Sequence, residues 1–238
     1  MDARHLPRRG SGLVTAASGQ GARRPYRSAH RQHQAAQTRA LVLKAATSLF
    51  ADRGWSATGM RDIAKEAGVA VETVYASFGS KTDLLLTAID VGVVGDAEPV
   101  ALSQRPEFTA LGVGSFTDRL DAAARMITRI NERTWGLRRA LNEAAGSEPQ
   151  LAAKLHELET RRRNNIRQGV EKVIGRPVDD DVLDGLWVIM GADVYYLLTQ
   201  IGERPVEGYE QWLATTTRRL LVASGSELTS VAATRRGS

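Results

Sequence analysis

Apolar residues recur along the first part of the chain with the spacing of a helix that buries one face. Between residues 38 and 54 they lie three or four positions apart, at Val42, Ala45, Ala46, Leu49 and Phe50. Such spacing places them on one side of an α-helix. Gly54 follows them and is a suitable C-terminal cap. The pattern therefore predicts an amphipathic helix that ends near residue 54.

Two short helices and a longer one are predicted next. The first covers about residues 58–67, with Thr58 as its cap, and Gly68 ends it. The second covers about residues 71–78. Ser80 is then placed to cap the longer helix that follows, because its hydroxyl can accept a backbone N–H of the first turn.

The second half of the chain is predicted to be helical as well. An irregular stretch with two prolines and four glycines covers about residues 92–114. Helices are predicted beyond it at about residues 116–145 (as one or two), 149–175, 180–201 and 205–223. No segment shows the apolar–polar alternation of a β-strand. We therefore predict an all-α chain in four parts: a disordered arm at 1–34, a small domain at 35–92, a larger domain at 93–225 and a flexible tail at 226–238.

The two short helices are predicted to cross tightly. Ala64 is small enough for the helices to approach, and Gly68 can adopt the left-handed conformation that turns the chain. Ile63, Val69 and Val74 would fill the wedge between them. This arrangement is typical of a helix-turn-helix, whose second helix can enter the major groove of DNA. A plain three-helix bundle can contain the same alanine–glycine spacing.

The composition argues against an enzyme. The chain has no cysteine and four histidines, three of which lie before residue 34. It has no glycine-rich phosphate loop and no histidine pair with the spacing of a zinc helix. We therefore expect no catalytic residue, no metal and no cofactor. No apolar run approaches the ~20 residues that span a bilayer, so we expect a cytoplasmic protein with no membrane partner.

The net charge of +5 comes from the N-terminal arm. Residues 1–31 carry seven arginines and one aspartate, whereas residues 38–90 are formally neutral. The arm has no helical apolar stripe, and its composition predicts disorder. Because phosphate neutralisation supplies much of the affinity for DNA, the arm is where a neutral DNA-binding domain would recover that affinity.

Residues 38–92 resemble the TetR family of one-component transcriptional regulators. The resemblance rests on Ala45-Ala46, Leu49-Phe50, Gly54-Trp55, Ile63-Ala64, Ala67-Gly68-Val69, Val74-Tyr75, Phe78 and Ser80-Lys81. It implies an N-terminal three-helix helix-turn-helix DNA-binding domain followed by a helical ligand-binding and dimerisation domain. It also implies a homodimer, a pseudo-palindromic operator of double-stranded DNA and a small-molecule effector.

The same resemblance implies which residues touch DNA. It assigns backbone contacts to Thr73 and Tyr75, and phosphate contacts to Lys81 and Thr58. Ser77 stands where the family commonly has a bulkier residue, but it can still donate one hydrogen bond.

The base-reading end of the second short helix holds Val71 and Glu72. Val71 could pack against thymine methyls, and Glu72 could accept a hydrogen bond from cytosine. Glu72 could equally be a solvated carboxylate at a helix N-terminus.

Methionine and aromatic side chains of the larger domain could line a cavity for a small molecule. The candidates, with one carboxylate among them, are Met126, Trp135, Trp187, Met190, Asp193, Tyr195 and Tyr196. Such side chains can also be ordinary core. Asp193 could meet a polar group of the ligand or form a hydrogen bond across a dimer. The basic run Arg161–Arg163 is interpreted as a solvated helix face.

The segment 180–201 has an apolar stripe too wide for a helix covered on one side only. The resemblance implies that this segment and the last helix pair across a dimer as a four-helix bundle. Alternatively, both could belong to the core of the monomer.

The resemblance and these features together predict a sequence-specific DNA-binding transcriptional regulator, a repressor that a small apolar or aromatic ligand releases from DNA. The alternative is a nucleoid-type protein that binds DNA without sequence choice.

Overall fold

The computed structural model describes residues 24–96, 98 and 100–235, and every regular element within them is helical. In this part of the chain the α-helices are α1 (Arg24–Arg53), α2 (Met60–Ala67), α3 (Val71–Phe78), α4 (Lys81–Val94), α5 (Pro106–Ala110), α6 (Phe116–Ala145), α7 (Pro149–Ile174), α8 (Asp180–Ile189), α9 (Ala192–Tyr196) and α10 (Val206–Arg235). A 3-10 turn at Leu102–Gln104 precedes α5, and a π-helical turn at Leu197–Ile201 follows α9. The prediction of an all-α chain is confirmed.

The chain divides into two compact units, one that ends at Thr38 and one that begins at Arg39. The cores and sites described below lie in the second unit. The predicted boundary after residue 92 stays a prediction, and both sides of it belong to this unit.

A first hydrophobic core is built by α1–α4 together with the end of α6 and the start of α7. Phe50, Ile63 and Val74 are fully buried in it, and so are Leu141 of α6 and Leu151 of α7. The apolar stripes of the short helices therefore pack against the long helices as well as against each other. Burial of apolar surface is the main force that holds such a small helical group in place.

The backbones of α1 and α6 approach closely within this core. A Cβ atom at Gly136 would lie 2.6 Å from the Cβ of Ala51. Glycine at this position allows the close packing of the two helices, because any side chain would push them apart.

A second hydrophobic core joins α6, α7, α8 and α10. Tyr195 and Tyr209 are buried there with their rings in edge-to-face contact, 4.9 Å between centroids. The side-chain amide of Asn131 donates hydrogen bonds to the Tyr209 hydroxyl at 3.1 Å and to the Met190 carbonyl at 3.2 Å. This buried polar group is thus partnered, as most buried polar groups in proteins are.

Both terminal helices are longer than predicted. Helix α1 begins at Arg24, so the prediction of disorder is wrong for residues 24–34; residues 1–23 lie outside the described residues. Pro25 stands in its first turn, where its missing N–H costs nothing, and the residues after it up to 39 include no glycine or proline. Helix α10 continues to Arg235, beyond the predicted end near residue 223, and residues 236–238 lie outside the description; the flexible tail at 226–238 stays a prediction.

The predicted helix over residues 180–201 is broken in the middle. Helix α8 ends at Ile189, Gly191 has extended backbone angles, and α9 continues with a bend of 42°. The break leaves the Met190 carbonyl free to accept the hydrogen bond from Asn131. A glycine inside a helical pattern was the available sign of this break.

Within the described residues, no single helix has the length and apolar character needed to cross a membrane. One bent pair, Asp180–Ile189 with Ala192–Ile201, meets those two criteria together.

Candidate functional site

The short helices α2 and α3 cross through a left-handed glycine. Gly68 has φ 68° and ψ 32°, and the N–H of Val69 donates to the carbonyl of Ala64 at 3.0 Å. Ala64 is buried at the crossing. This turn satisfies the last carbonyls of α2 and sets the direction of α3, so the predicted helix-turn-helix is confirmed.

Helix α3 presents a largely polar outer face. Tyr75 is 51% exposed and Glu72 is exposed, while Thr73 and Ser77 are half-buried. Val71 packs partly against the first core, which leaves only part of its side chain on the surface. The exposed hydroxyl and carboxylate are thus the groups of α3 that are most accessible to a partner.

Thr58 has a different role from the one predicted. Its side chain is buried, and its hydroxyl donates to the carbonyls of Leu49 at 3.1 Å and Gly54 at 2.8 Å. The N-cap of α2 is Gly59 instead, so the capping prediction for Thr58 is wrong. The hydroxyl stabilises the end of α1, and we leave Thr58 out of the proposed DNA contacts because it is buried.

Lys81 lies at the N-terminus of α4, where Ser80 is the N-cap and accepts the N–H of Asp83 at 3.0 Å, as predicted. The Lys81 ammonium donates to the carbonyl of Trp55 at 2.6 Å and lies 4.0 Å from the centroid of the Trp55 ring. Burial lowers the pKa of Lys81, and the carboxylates of Glu148 and Glu143 offset part of that shift. An ammonium has three donors, so this single bond leaves others for a phosphate.

The loop around Trp55 is held by two carboxylates from the long helices. Glu143 of α6 accepts the backbone N–H groups of Trp55 at 2.8 Å and Ser56 at 3.0 Å. Glu148, the N-cap residue of α7, accepts the indole N–H of Trp55 at 2.8 Å. Hydrogen bonds from Ser56 are the main reason that the pKa of Glu143 lies below its usual value. These contacts attach the helix-turn-helix to α6 and α7.

Arg39 contacts the C-terminal end of α3, a role that the sequence did not indicate. Its guanidinium donates to the carbonyl of Ser77 and stacks over the ring of Phe78, 4.0 Å from the centroid. An arginine on the outer face of a predicted helix gives no sign of such a partner.

A cavity of about 520 Å³ lies within the second unit. Its wall is formed by α4, α5, α6, α7 and α10, with parts of the irregular stretch and of the α8–α9 break. This volume is within the range of small-molecule sites.

Only two of the predicted ligand residues, Met126 and Met190, line this cavity. Trp135 instead stacks on Tyr196 at 5.4 Å, and Tyr195 packs in the second core. The indole N–H of Trp187 donates to Glu159 at 3.1 Å. Asp193 is exposed and is not part of the cavity wall. The predicted aromatic cluster and the cavity are therefore different places.

Sequence reasoning missed several polar residues of the wall. On α6 these are Asn131, Thr134 and Arg138, which continue at helical spacing the apolar stripe that includes Ile127. Polar residues in an otherwise buried stripe were the available signal.

Arg162 also lines the cavity, so the interpretation of Arg161–Arg163 as a solvated face is wrong for its middle residue. Arg162 ion-pairs with Glu159 at 2.8 Å. Its neighbour Arg163 ion-pairs with Asp184 at 2.6 Å.

The short helices match a known family. Residues 42–88 match the family described as bacterial regulatory proteins, tetR family. The HTH-type transcriptional activator FasR of Mycolicibacterium smegmatis is 36% identical over 81 residues. The match spans 33% of this chain and 37% of the length of that relative.

Solved structures share the fold over most of the chain. A TetR-family transcriptional regulator from Mesorhizobium loti has a TM-score of 0.58 at 22% identity, covering 79% of this chain and 97% of that one. A transcriptional regulator from Rhodococcus sp. Rha1 has a TM-score of 0.54 at 16% identity, covering 78% and 96%. The multidrug binding protein EbrR, solved with imidazole, has a TM-score of 0.50 at 16% identity, covering 76% and 88%.

The match over residues 42–88, with the glycine-turned crossing of α2 and α3, places this helix-turn-helix in the tetR family of bacterial regulatory proteins, and most of the chain shares its helical fold with the solved structures.

Proposed function

We propose that the chain is a homodimeric repressor that binds a pseudo-palindromic operator and leaves it when an apolar molecule fills the cavity. Tyr75, Thr73 and Lys81 contact the DNA backbone, and Glu72 reads a base. The polar outer face of α3 and the position of Lys81 at a helix N-terminus support these roles, since such termini attract phosphates.

The main support for this proposal is that α4 belongs both to the core of the helix-turn-helix and to the wall of the cavity. Leu84 and Leu85 are fully buried in the core of the helix-turn-helix, while Val93 and Val94 line the cavity. The N-terminus of the same helix holds Lys81. A change at the cavity can therefore reach the proposed DNA contacts through one rigid element, about 21 Å long.

The direction of the effect follows from linkage. A ligand can shift an equilibrium only by as much as its affinity differs between the two states. An occupant that fits the cavity of the free form better than that of the DNA-bound form lowers the affinity for DNA. The structure of the multidrug binding protein EbrR with imidazole supports a ligand role for a cavity in this fold.

Site selection from random DNA tests the proposed function directly. We expect the selected site to contain two related half-sites about one helical turn apart or somewhat more. Bulk DNA should compete for binding about 10³-fold less well than this site, or worse. The control is the same site with one half-site scrambled, which should bind markedly more weakly.

Two results of such an experiment would overturn parts of the proposal. Equal competition by bulk DNA would mean binding without sequence choice. If a reporter promoter that carries the selected site were activated, as the name of the Mycolicibacterium relative suggests for that protein, the repressor assignment would be wrong.

A partly apolar surface near α8, α9 and α10 supports the dimer. Val188, Leu197, Ile201 and Val222 are each more than half exposed there. Exposed apolar residues in one region are typical of an interaction surface. We assign this surface to the homodimer interface.

Sedimentation of the purified protein at micromolar concentration is expected to show a dimer. Replacing Leu197 and Ile201 together by glutamate should give monomers, because two carboxylates would lose their water on association. The matched control is Val113→Glu, since Val113 is equally exposed at 66% but lies before α6. A dimer that survives the double change would place the interface elsewhere.

A further inference from the structure

The cavity follows α6 and α7 over a long distance. Its wall includes Leu120 near the start of α6 and Arg138 in its second half, about 27 Å apart along the helix axis. On α7 the wall runs from Leu158 to Val173. The end of α6 shares the first core with the start of α7, and the start of α6 shares the second core with the end of α7, so the two helices run in opposite directions along the cavity. The space is therefore elongated.

One end of this space carries positive charge that is poorly exposed to solvent. Both Arg138 and Arg162 line it, and both are paired with the same carboxylate of Glu159. Their side chains are only 12% and 25% exposed. Two guanidinium groups thus share one directly bonded carboxylate.

Burial lowers the pKa of both arginines to about 10. Each still carries its charge at neutral pH. For Arg138, repulsion from Arg162 adds to the effect of burial, while attraction to Asp193 opposes it. A second anion at this end would offset both the loss of hydration of the two arginines and their mutual repulsion.

The other acidic groups of the wall lie at its exposed margin. Asp90 ion-pairs with Arg161, and Asp96 ion-pairs with Arg105 outside the wall. Glu98 is exposed to solvent. Of the acidic groups of the wall, none is therefore ion-paired with Arg138 or Arg162, whose directly bonded carboxylate is that of Glu159.

The opposite end is apolar. Phe108, Leu111, Leu120, Ala123, Val170 and Val173 line it, and all are buried. The buried hydroxyl of Thr217 also faces this wall and has no hydrogen-bond partner among the described residues. The wall therefore changes along its length from two arginines to hydrocarbon.

We propose that the cavity binds an unbranched apolar carboxylate, with its head group at Arg138 and Arg162 and its chain along α6 toward Leu120. A guanidinium matches a carboxylate in a planar, two-bond geometry. A cationic ligand would be repelled at this end. A neutral ligand would leave Arg138 and Arg162 sharing the single carboxylate of Glu159. This inference rests on the proposed function and names the class of effector.

Calorimetry with three probes of equal chain length tests the assignment: dodecanoate, 1-dodecanol and dodecyltrimethylammonium. We expect dodecanoate to bind at least about tenfold more tightly than the alcohol, because only the carboxylate brings a negative charge and two acceptor oxygens that match a guanidinium. The ammonium should bind most weakly. This comparison uses the unaltered protein and does not depend on the folding of any variant.

Three variants then locate the head group and the chain. Arg138→Gln and Arg162→Gln should each remove most of the preference for dodecanoate and leave the affinity for the alcohol nearly unchanged. Arg139→Gln is the matched control, since Arg139 is the next residue of α6, is exposed and is not part of the wall. Ala123→Phe fills the apolar end and should weaken both probes together.

The outcomes separate this inference from the proposed function. Equal binding of the carboxylate and the alcohol, or tighter binding of the ammonium, would overturn the assignment of an anion. Failure of all three probes to bind would overturn it as well. None of these results would contradict operator recognition, because the site selection described above measures it without any ligand.

Discussion

Replacing Trp55 by alanine is expected to lower the free energy of unfolding by about 3–5 kcal/mol, the range for a large aromatic residue removed from a core. Trp55 is buried and stacks on Phe50, with 5.9 Å between ring centroids. Its indole N–H also donates to Glu148, and its ring lies beneath the Lys81 ammonium. The truncation removes all of these contacts at once. Urea denaturation followed by circular dichroism measures the change.

A milder change separates the ring from the hydrogen bond. Trp55→Phe keeps an aromatic ring between Phe50 and Lys81 but removes the donor to Glu148, so we expect a loss of about 1 kcal/mol. If Trp55→Ala cost less than this, the ring would not be part of the core that joins the helix-turn-helix to α6 and α7.

Replacing Tyr75 by alanine is expected to weaken binding to all DNA sequences alike, by about 1–3 kcal/mol. Tyr75 is half exposed on the outer face of α3, and a contact with the DNA backbone carries no sequence information. The stability of the free protein should change little because the side chain is not in the core. Titration of the selected site and of a one-base variant of it measures both effects.

Glu72→Ala is expected to have a different effect from Tyr75→Ala, because it should change the base preference and not the affinity for all sequences. A glutamate that accepts a hydrogen bond from cytosine discriminates one base pair, so its loss should relax the preference at that position. If the base preference of the protein is unchanged after Glu72→Ala, Glu72 is a solvated carboxylate at the helix N-terminus and does not read a base. Altered preference after Tyr75→Ala would mean that Tyr75 reads a base.

Lys81 is a less direct probe of DNA binding than Tyr75. Its ammonium bonds the Trp55 carbonyl in the free protein. Lys81→Ala would therefore change the packing of the Trp55 loop as well as any contact with a phosphate. The two roles share one side chain, which couples the proposed DNA surface to Glu143 and Glu148.

Local patterns were sufficient to predict the helix-turn-helix. The stripe of α1, the left-handed turn at Gly68 and the Ser80 cap depend on residues within a few positions of each other. Helix hydrogen bonds join residues four apart, so spacing along the chain carries this information. The same reasoning was wrong for Thr58, which was predicted to cap α2: its hydroxyl instead bonds the carbonyls of Leu49 and Gly54 at the end of α1.

The cavity depends on contacts between residues that are far apart in the sequence, and residue spacing does not predict such contacts. The cavity wall contains residues from α4, α5, α6, α7 and α10. Aromatic content alone predicted Trp135 and Tyr196 as ligand residues, but these two stack on each other outside the cavity wall. The sequence predicted Arg162 to be part of a solvated basic run. In the fold, α6 brings Arg138 to Glu159, which also pairs with Arg162. The amphipathic helices and the glycine turn follow from the sequence because their causes are local. The cavity and the pairing of Arg138 and Arg162 with Glu159 follow only from the packed structure, because they depend on side chains brought together from distant parts of the chain.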